Sequence, residues 1–586
     1  MMRRPRTRRE FLKTALFGSA AISATRLLSA ENSARDKAIQ LPRAEHLPQP
    51  LPPADVHLSG EWGSRFMAAT CNLMTRPDRY SLESFAANAT SRPGALWPDW
   101  PGDQLGRWFS VLHIAEGYGW APAAAQRASI ADVVLPLQTK EGNFGPPGST
   151  RSDDSRIPSG NAFALRGLMD AYADTRESRY QEAARKLARY FESIAPAWET
   201  KRSGMLHEFY GHCLDGLAAL FELGGDRWAL DFARRLAAHA GRTPHTHHSL
   251  CLCRGLADLA RLTGEKPYLG RAEDYLAWCR QSLAVTGGLP ESMPASAQDE
   301  GCGLADWVVV NLLMFQGTGE ERYLDDAEHT LINHFFMNQF VTGGFGHRGL
   351  GKEVLGGKNW QGWEGRFGSE NPGCCSMWGQ WGLGQAARFI VTLAKNDILV
   401  NFYPSADIDL PERGVRLSLA SDFPRTNRAL IQIHCNKENN FTLSLRVPPW
   451  AESMDIVRAG EPISGRPSGR RVILRGGWKA GETVELRFKS GIRLVPWPAA
   501  KPEGYGLFDG PLCLGLPSSA ADVDLPWSVL VDGAGRLLLD RQSRPTLVEP
   551  SGRRTNALAP ISGDWQYPDV HNPRRWHVLF TKKAAA

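Results

Sequence analysis

The sequence predicts an α+β multidomain chain. Stacked helical hairpins, an (α/α)6 toroid if the stack closes and an open solenoid if it does not, are followed by a β-sandwich. Three observations carry this: hairpins repeating through the middle of the chain, a change of hydrophobic period near Lys395, and turn signals that punctuate the segments beyond it.

The repeat is clearest in four units. Gly167-Leu168 leads to Tyr180 and Ala184, and Gly216-Leu217 leads to Gly225-Asp226 and Trp228. Gly255-Leu256 leads to Gly264-Glu265, Tyr268 and Ala272, and Leu312-Leu313 leads to Gly319-Glu320, Tyr323 and Ala327. Each unit reads as an apolar helix, a Gly/acidic turn, then an aromatic opening a second helix. A lone hairpin cannot bury its apolar face, so units recurring at roughly forty to fifty residues imply stacking. With two earlier helical segments, near Gly106-Arg107-Trp108 and from Pro122 to Leu135, about six hairpins fit between residues 100 and 395.

Past Lys395, segments such as Asp397–Tyr403, Phe441–Val447 and Val484–Phe488 alternate apolar and polar residues, as half-buried strands do. Pro448-Pro449 and Gly476-Gly477 mark turns, giving a sandwich of about 110 to 190 residues. The expected boundaries are a signal at 1–30, a Pro-rich linker at 31–54 and the helical catalytic domain at 55–395. The sandwich is expected at 396–500 and a C-terminal β-rich region at 501–586. Val56-His57-Leu58 is positioned to lend a strand to the distal domain.

The N-terminus pairs Arg8-Arg9 with Phe11-Leu12 before an apolar stretch from Thr14 to Leu28, the pattern of a twin-arginine export signal. The expected partner is therefore the twin-arginine export machinery, and the expected location is the periplasm or the medium. That apolar stretch falls short of the ~20 residues a membrane span requires. Residues 1–30 carry seven Lys/Arg and one acid, a balance equal to the chain's entire formal charge of +6, so the mature chain is near neutral. Nucleic acid is excluded as a partner on that ground.

Ten cysteines in 586 residues are too few for a disulfide scaffold, and several (Cys213, Cys251, Cys253, Cys279) fall within helical patterns as small hydrophobes. Nineteen tryptophans suit a cleft that stacks on sugar rings, or a large core. Two motifs stand apart: Glu300-Gly301-Cys302, and the adjacent Cys374-Cys375. Three thiols and a carboxylate are the number and type of ligands that close a tetrahedral zinc site. Residues i and i+2 of a helix point about 200° apart, so the metal site is expected in loops freed by Gly301, Gly303 and Gly373. A zinc that only pins two segments together, or a vicinal Cys374–Cys375 disulfide, are the alternatives.

These motifs, with Trp100-Pro101-Gly102-Asp103, Gly106-Arg107-Trp108, the run Phe441–Trp450 and Trp478–Glu482, resemble the β-L-arabinofuranosidases of glycoside hydrolase family 127 over roughly residues 55 to 500. The resemblance implies an (α/α)6 barrel with β-sandwich domains, a carbohydrate substrate and a zinc held by Glu300, Cys302, Cys374 and Cys375. It further implies Cys374 as nucleophile and His245 as a sugar-facing residue. Glu291, after Gly287-Gly288, is the candidate acid/base, with Glu364 and Glu370 as rival carboxylates. His212, Tyr210, Asp103 and Glu364 complete the expected substrate-binding set. The sequence departs from the family where Ser376-Met377 replaces the usual prolines and where Glu291 lies closer to Glu300 than usual. The leading expectation is an exported, zinc-dependent, retaining exo-glycosidase. A barrel enzyme of another mechanism with a structural zinc, or a non-catalytic carbohydrate-binding protein, are the other readings.

Overall fold

The computed structural model describes residues 47–585 apart from 77–78, 147–155, 200–205, 294–295, 297, 349–368, 464–469, 498–503, 518–519, 523–524 and 564–575. The expected export signal at 1–30 and most of the expected linker lie outside the described residues. Among the described residues no helix is long and apolar enough to cross a membrane.

Helices α1 (Gly60–Met74), α2 (Leu82–Ala89), α3 (Asp103–Gly117), α4 (Ala123–Val134), α5 (Arg156–Thr175) and α6 (Ser178–Glu199) come first. Next come α7 (Leu206–Gly224), α8 (Arg227–His239), α9 (Thr246–Thr263), α10 (Pro267–Arg280), α11 (Gly301–Thr318), α12 (Glu321–His329) and α13 (Cys375–Ala387). Helices α3, α5, α7, α9, α11 and α13 each pack on the next, and α13 returns to α3, so the inner ring closes. The toroid, not the open solenoid, is the outcome.

Sequence explains the two layers. Outer helix α8 buries Ala229, Leu230, Phe232, Ala233, Leu236 and Ala237, one stripe at three- and four-residue spacing, and leaves its charges outside. Inner helix α11 is buried on nearly every side. The glycines of the repeat are the contact points between inner helices. A Cβ on Gly167 would lie 2.2 Å from the Gly106 carbonyl oxygen, and one on Gly255 would lie 2.3 Å from Leu214 Cβ. The turn glycines Gly264 and Gly319 sit at φ +73° and +72°, where a side chain would be strained.

The sixth hairpin corrects the sequence reading. Five hairpins run from α3 to α12, but the outer partner of α13 is α1, from the opposite end of the chain. The linker expectation also changes at its end. Gln49–Pro50 pairs antiparallel with Val391–Ala394, and Val56–Leu58 with Ala406–Leu410.

The sandwich has a five-stranded and a seven-stranded sheet, and these two N-terminal strands add one edge to each. Its seven-stranded sheet alternates buried and exposed residues along Arg428–Cys435 and Thr483–Lys489. The expected boundary at 500 moves back, because Ile492–Pro496 forms a hairpin with Tyr505–Asp509 and belongs to the C-terminal region. That region packs on the barrel through Trp497, Phe508, Cys513 and Trp576 against Val285 and Met337.

A buried ionic clamp joins barrel to sandwich. Arg446, fully buried, donates to Glu328 Oε1 at 3.1 Å and Asp325 Oδ1 at 2.8 Å on α12, and Arg470 and Arg471 add Asp325 and Glu321.

Candidate active site

The inner helices run parallel, so their N-terminal ends meet at one mouth of the barrel. Asp103 opens α3, His245 caps α9, Glu300 caps α11 and Cys374 caps α13. Loops are therefore not what builds the site, contrary to the sequence expectation: each motif straddles a helix start. Glu300 has extended backbone (φ −140°, ψ 128°) while Cys302 lies in the first turn, so the angular rule for a regular helix does not span the pair. Nor do the flanking glycines supply positive φ. Gly373 is needed because a Cβ there would lie 1.5 Å from Trp97 Nε1, and Gly301 because a Cβ there would lie 3.1 Å from Cys375 Cβ.

The four donors converge. One ligand atom from each of Glu300, Cys302, Cys374 and Cys375 lies within 4.8 Å of the others. Cys302 Sγ is 3.9 Å from Cys375 Sγ, Cys374 Sγ is 3.7 Å from Cys375 Sγ, and Glu300 Oε1 is 4.0 Å from Cys374 Sγ. Zinc–sulfur bonds of about 2.3 Å in a tetrahedron give sulfur–sulfur edges of ~3.8 Å, so the spacing fits a single tetrahedral cation. Glu300 Oε2 is buried with no hydrogen-bond partner, a further mark of a seat made for a cation.

The electrostatics agree. Burial pushes the Glu300 carboxyl well up, helped by the charges of Cys374 and Glu291. Burial likewise raises the Cys302 and Cys375 thiols. Cys374 goes the other way, well below the usual thiol range, because the Cys302 and Cys375 thiols hydrogen-bond to it and Arg107 and His347 face it. It is also the only one of the three that is not fully buried.

Behind the donors stands a supporting shell. Asp299, wholly buried, accepts from the Arg348 backbone N–H at 2.5 Å, His334 Nε2 at 2.7 Å and Asn338 Nδ2 at 3.0 Å, which fixes the backbone just before Glu300. His347 donates from Nδ1 to the Asp299 carbonyl at 2.9 Å and so turns Nε2 toward Cys375 Sγ, 3.7 Å away. Arg107, buried, lies 3.8 Å from Cys302 Sγ. The sequence reading missed these residues. Arg107 stood inside a quoted motif, while His347 and Asp299 carry no spacing signal at all.

The remaining candidates divide. Glu291 is half-buried and its side chain accepts from Gln298 Nε2. Its backbone carbonyl accepts from the Thr246 N–H at 2.9 Å, placing it beside the α9 cap and within electrostatic reach of Glu300. His245 Nε2 lies 3.8 Å from Glu300 Oε2. His212 is buried against Phe163, with neither ring nitrogen bonded to protein among the described residues. Asp103 is buried, and both its oxygens accept from Arg107 Nε, at 2.9 and 3.0 Å. Glu370 is taken up by Arg76, Arg79 and Thr342. Tyr210 falls on α7 with its side chain outside the described residues, and Glu364 lies outside them entirely.

A second donor group, His212, His247 and Cys251, offers no comparable seat. Both nitrogens of His247 are engaged, and the charges of Arg107 and Arg254 face His212.

A family model for the GH127 β-L-arabinofuranosidase catalytic domain matches residues 161–346, and one for the GH127 middle domain matches residues 397–490. The chain belongs to glycoside hydrolase family 127. It is a glycosidase, and its substrate is a carbohydrate. The catalytic match contains Glu300 and Cys302, whereas Cys374-Cys375 lies between the two matched segments.

Solved glycoside hydrolase structures share the architecture over nearly the whole chain. A GH127 β-L-arabinofuranosidase from Geobacillus stearothermophilus T6 is 14% identical with a TM-score of 0.70, covering 90% of this chain and 100% of that one. Another GH127 β-arabinofuranosidase is 15% identical with a TM-score of 0.69, covering 92% and 98%. A third, a glycoside hydrolase, is 16% identical with a TM-score of 0.67, covering 92% and 98%. At such identities the likeness speaks for the fold. No curated protein matches the sequence.

Proposed function

We propose that this family 127 chain is a zinc-dependent, retaining exo-glycosidase that releases β-L-arabinofuranosyl units, or a closely similar sugar, from plant or algal polysaccharide. The observation that carries this reading is the tetrahedral spacing of Glu300, Cys302, Cys374 and Cys375, with Cys374 alone on the open side. Zinc held by these four residues would supply the positive charge that keeps the thiols deprotonated.

Cys374 Sγ attacks the anomeric carbon and forms a thioether to the sugar as the glycosidic bond breaks. Glu291 gives its proton to the departing oxygen. The same carboxylate then takes a proton from water, which displaces the sulfur and restores the thiolate with the anomeric configuration retained. His245, His212 and the neighbouring rings line the floor on which the sugar rests.

Arg8-Arg9 and Phe11-Leu12 support delivery by twin-arginine export to the periplasm or beyond. That route carries proteins already folded, which lets the thiols take metal while still reduced.

The test is hydrolysis of aryl furanosides and pyranosides by the parent and by Cys374→Ser, with zinc quantified in each sample. The proposal expects one β-L-furanoside to be cleaved with retention, and turnover to vanish in the folded, zinc-loaded variant. Undiminished turnover by Cys374→Ser would remove the nucleophile from the mechanism.

A further inference from the structure

The Cys302 sulfur has a cationic neighbour that is not a metal ligand. Arg107, 4% exposed, reaches three partners besides its stacking rings. It donates from Nε to Asp103, from Nη2 to His247 Nε2 at 3.1 Å, and points Nη1 at Cys302 Sγ, 3.8 Å away. Its guanidinium carbon lies 3.7 Å from the centre of the Phe163 ring and 4.7 Å from that of Trp378. Held on its edges and faces alike, it has no freedom to swing.

This contact sets the tautomer of His247. A guanidinium only donates, so His247 Nε2 must offer its lone pair. The ring proton therefore sits on Nδ1 and is donated to Asp306 Oδ2 at 2.5 Å. Asp306 is fully buried and also accepts from Arg254 Nη1 at 2.7 Å and Trp378 Nε1 at 3.0 Å. It lies one helical turn after Cys302, and Trp378 lies three residues after Cys375. One carboxylate thus ties together the two helices that carry the thiols and also sets the ring that steers Arg107.

We infer that Asp306 and His247 are positioning residues that aim Arg107 at the Cys302 sulfur, making Cys302 the anchored ligand and leaving Cys374 the one free to turn toward the sugar. The inference rests on the metal reading above and adds to it the cause of the asymmetry among the thiols. A hydrogen bond from a cation to a thiolate stabilises that thiolate where it stands and lowers its tendency to react. Among the described residues Cys374 receives no such donor.

The experiment uses the full chain, stripped of metal and reloaded with zinc or with cobalt(II). Arg107→Gln is expected to weaken zinc binding about tenfold or more and to move the thiolate-to-cobalt charge-transfer band to lower energy. Asp306→Asn should move the band in the same direction with a smaller loss of affinity, since it loosens the aim without removing the donor. Unchanged affinity and an unchanged band in folded Arg107→Gln would overturn the inference, because a merely structural arginine would not touch that band. Should Arg107→Gln fail to fold, Arg107→Lys decides. It keeps the charge but cannot serve Asp103, His247 and Cys302 together, so a shifted band supports the inference and the parent's band overturns it. If the parent chain binds no zinc, the metal reading itself fails, an outcome distinct from a parent that binds zinc and a variant that binds it equally well.

Discussion

Two buried ionic clusters in this molecule look alike in composition and differ in completeness. At the junction of barrel and sandwich, Arg446, Arg470 and Arg471 meet Glu321, Asp325 and Glu328, three cations for three carboxylates. At the barrel mouth, a single arginine, Arg107, already bonded to Asp103, is left to face Glu300 and three thiols. Burying charge is costly unless it is paired, so a matched cluster is a fastener and an unmatched one is a seat. The contrast shows how a site can be told from scaffold when both are made of buried ions.

Four experiments press on that difference. The largest effect belongs to Cys374→Ser, expected to lower kcat/KM by about a thousandfold or more while zinc stays bound, as read by steady-state kinetics beside metal analysis. Glu291→Gln comes next, with kcat expected to fall about 10²–10⁴-fold and the loss to shrink for aryl leaving groups that need no proton. The same loss across all leaving groups would assign the acid role elsewhere.

On the fastener side, Arg446→Leu leaves Glu328 buried without its cation and should cost about 3–5 kcal/mol in denaturant unfolding. Zinc content and KM should stay at parental values, and a variant that lost its metal instead would show that the two clusters are not independent. The smallest effect is a pH dependence. Burial holds His329, which donates from Nε2 to the Val285 carbonyl at 3.0 Å, down to about 4. Its unfolded form takes up a proton near pH 6.5 and the folded form near 4, so stability is full above 6.5 and drains away as pH falls between these values. About 3 kcal/mol is at stake, and His329→Gln should flatten that part of the stability profile.

The parts of this fold that were legible in the sequence are those with a local cause. Gly167, Gly216 and Gly255 mark inner-helix contacts because a helix crossing closely at one point needs a small residue there every time, which makes the repeat visible. The Glu300–Cys302 and Cys374-Cys375 motifs were legible because thiols paired with a carboxylate have few other uses. What escaped depends on tertiary closure. Nothing in Gly60–Met74 announces that it will stand beside Cys375–Ala387. Arg107 reads as one more arginine on a helix until the ring places it against a sulfur, and His347 belongs to a two-residue strand too short to carry a pattern.

The pairing of α1 with α13 also governs how the chain must come together. The first barrel helix waits unpaired while some three hundred residues are made, and the stave that completes the circle is the one bearing Cys374 and Cys375. Assembly of the ring and assembly of the thiol pocket are therefore one late event. A chain cut short before Ala387 would lack both, whatever its earlier hairpins had achieved.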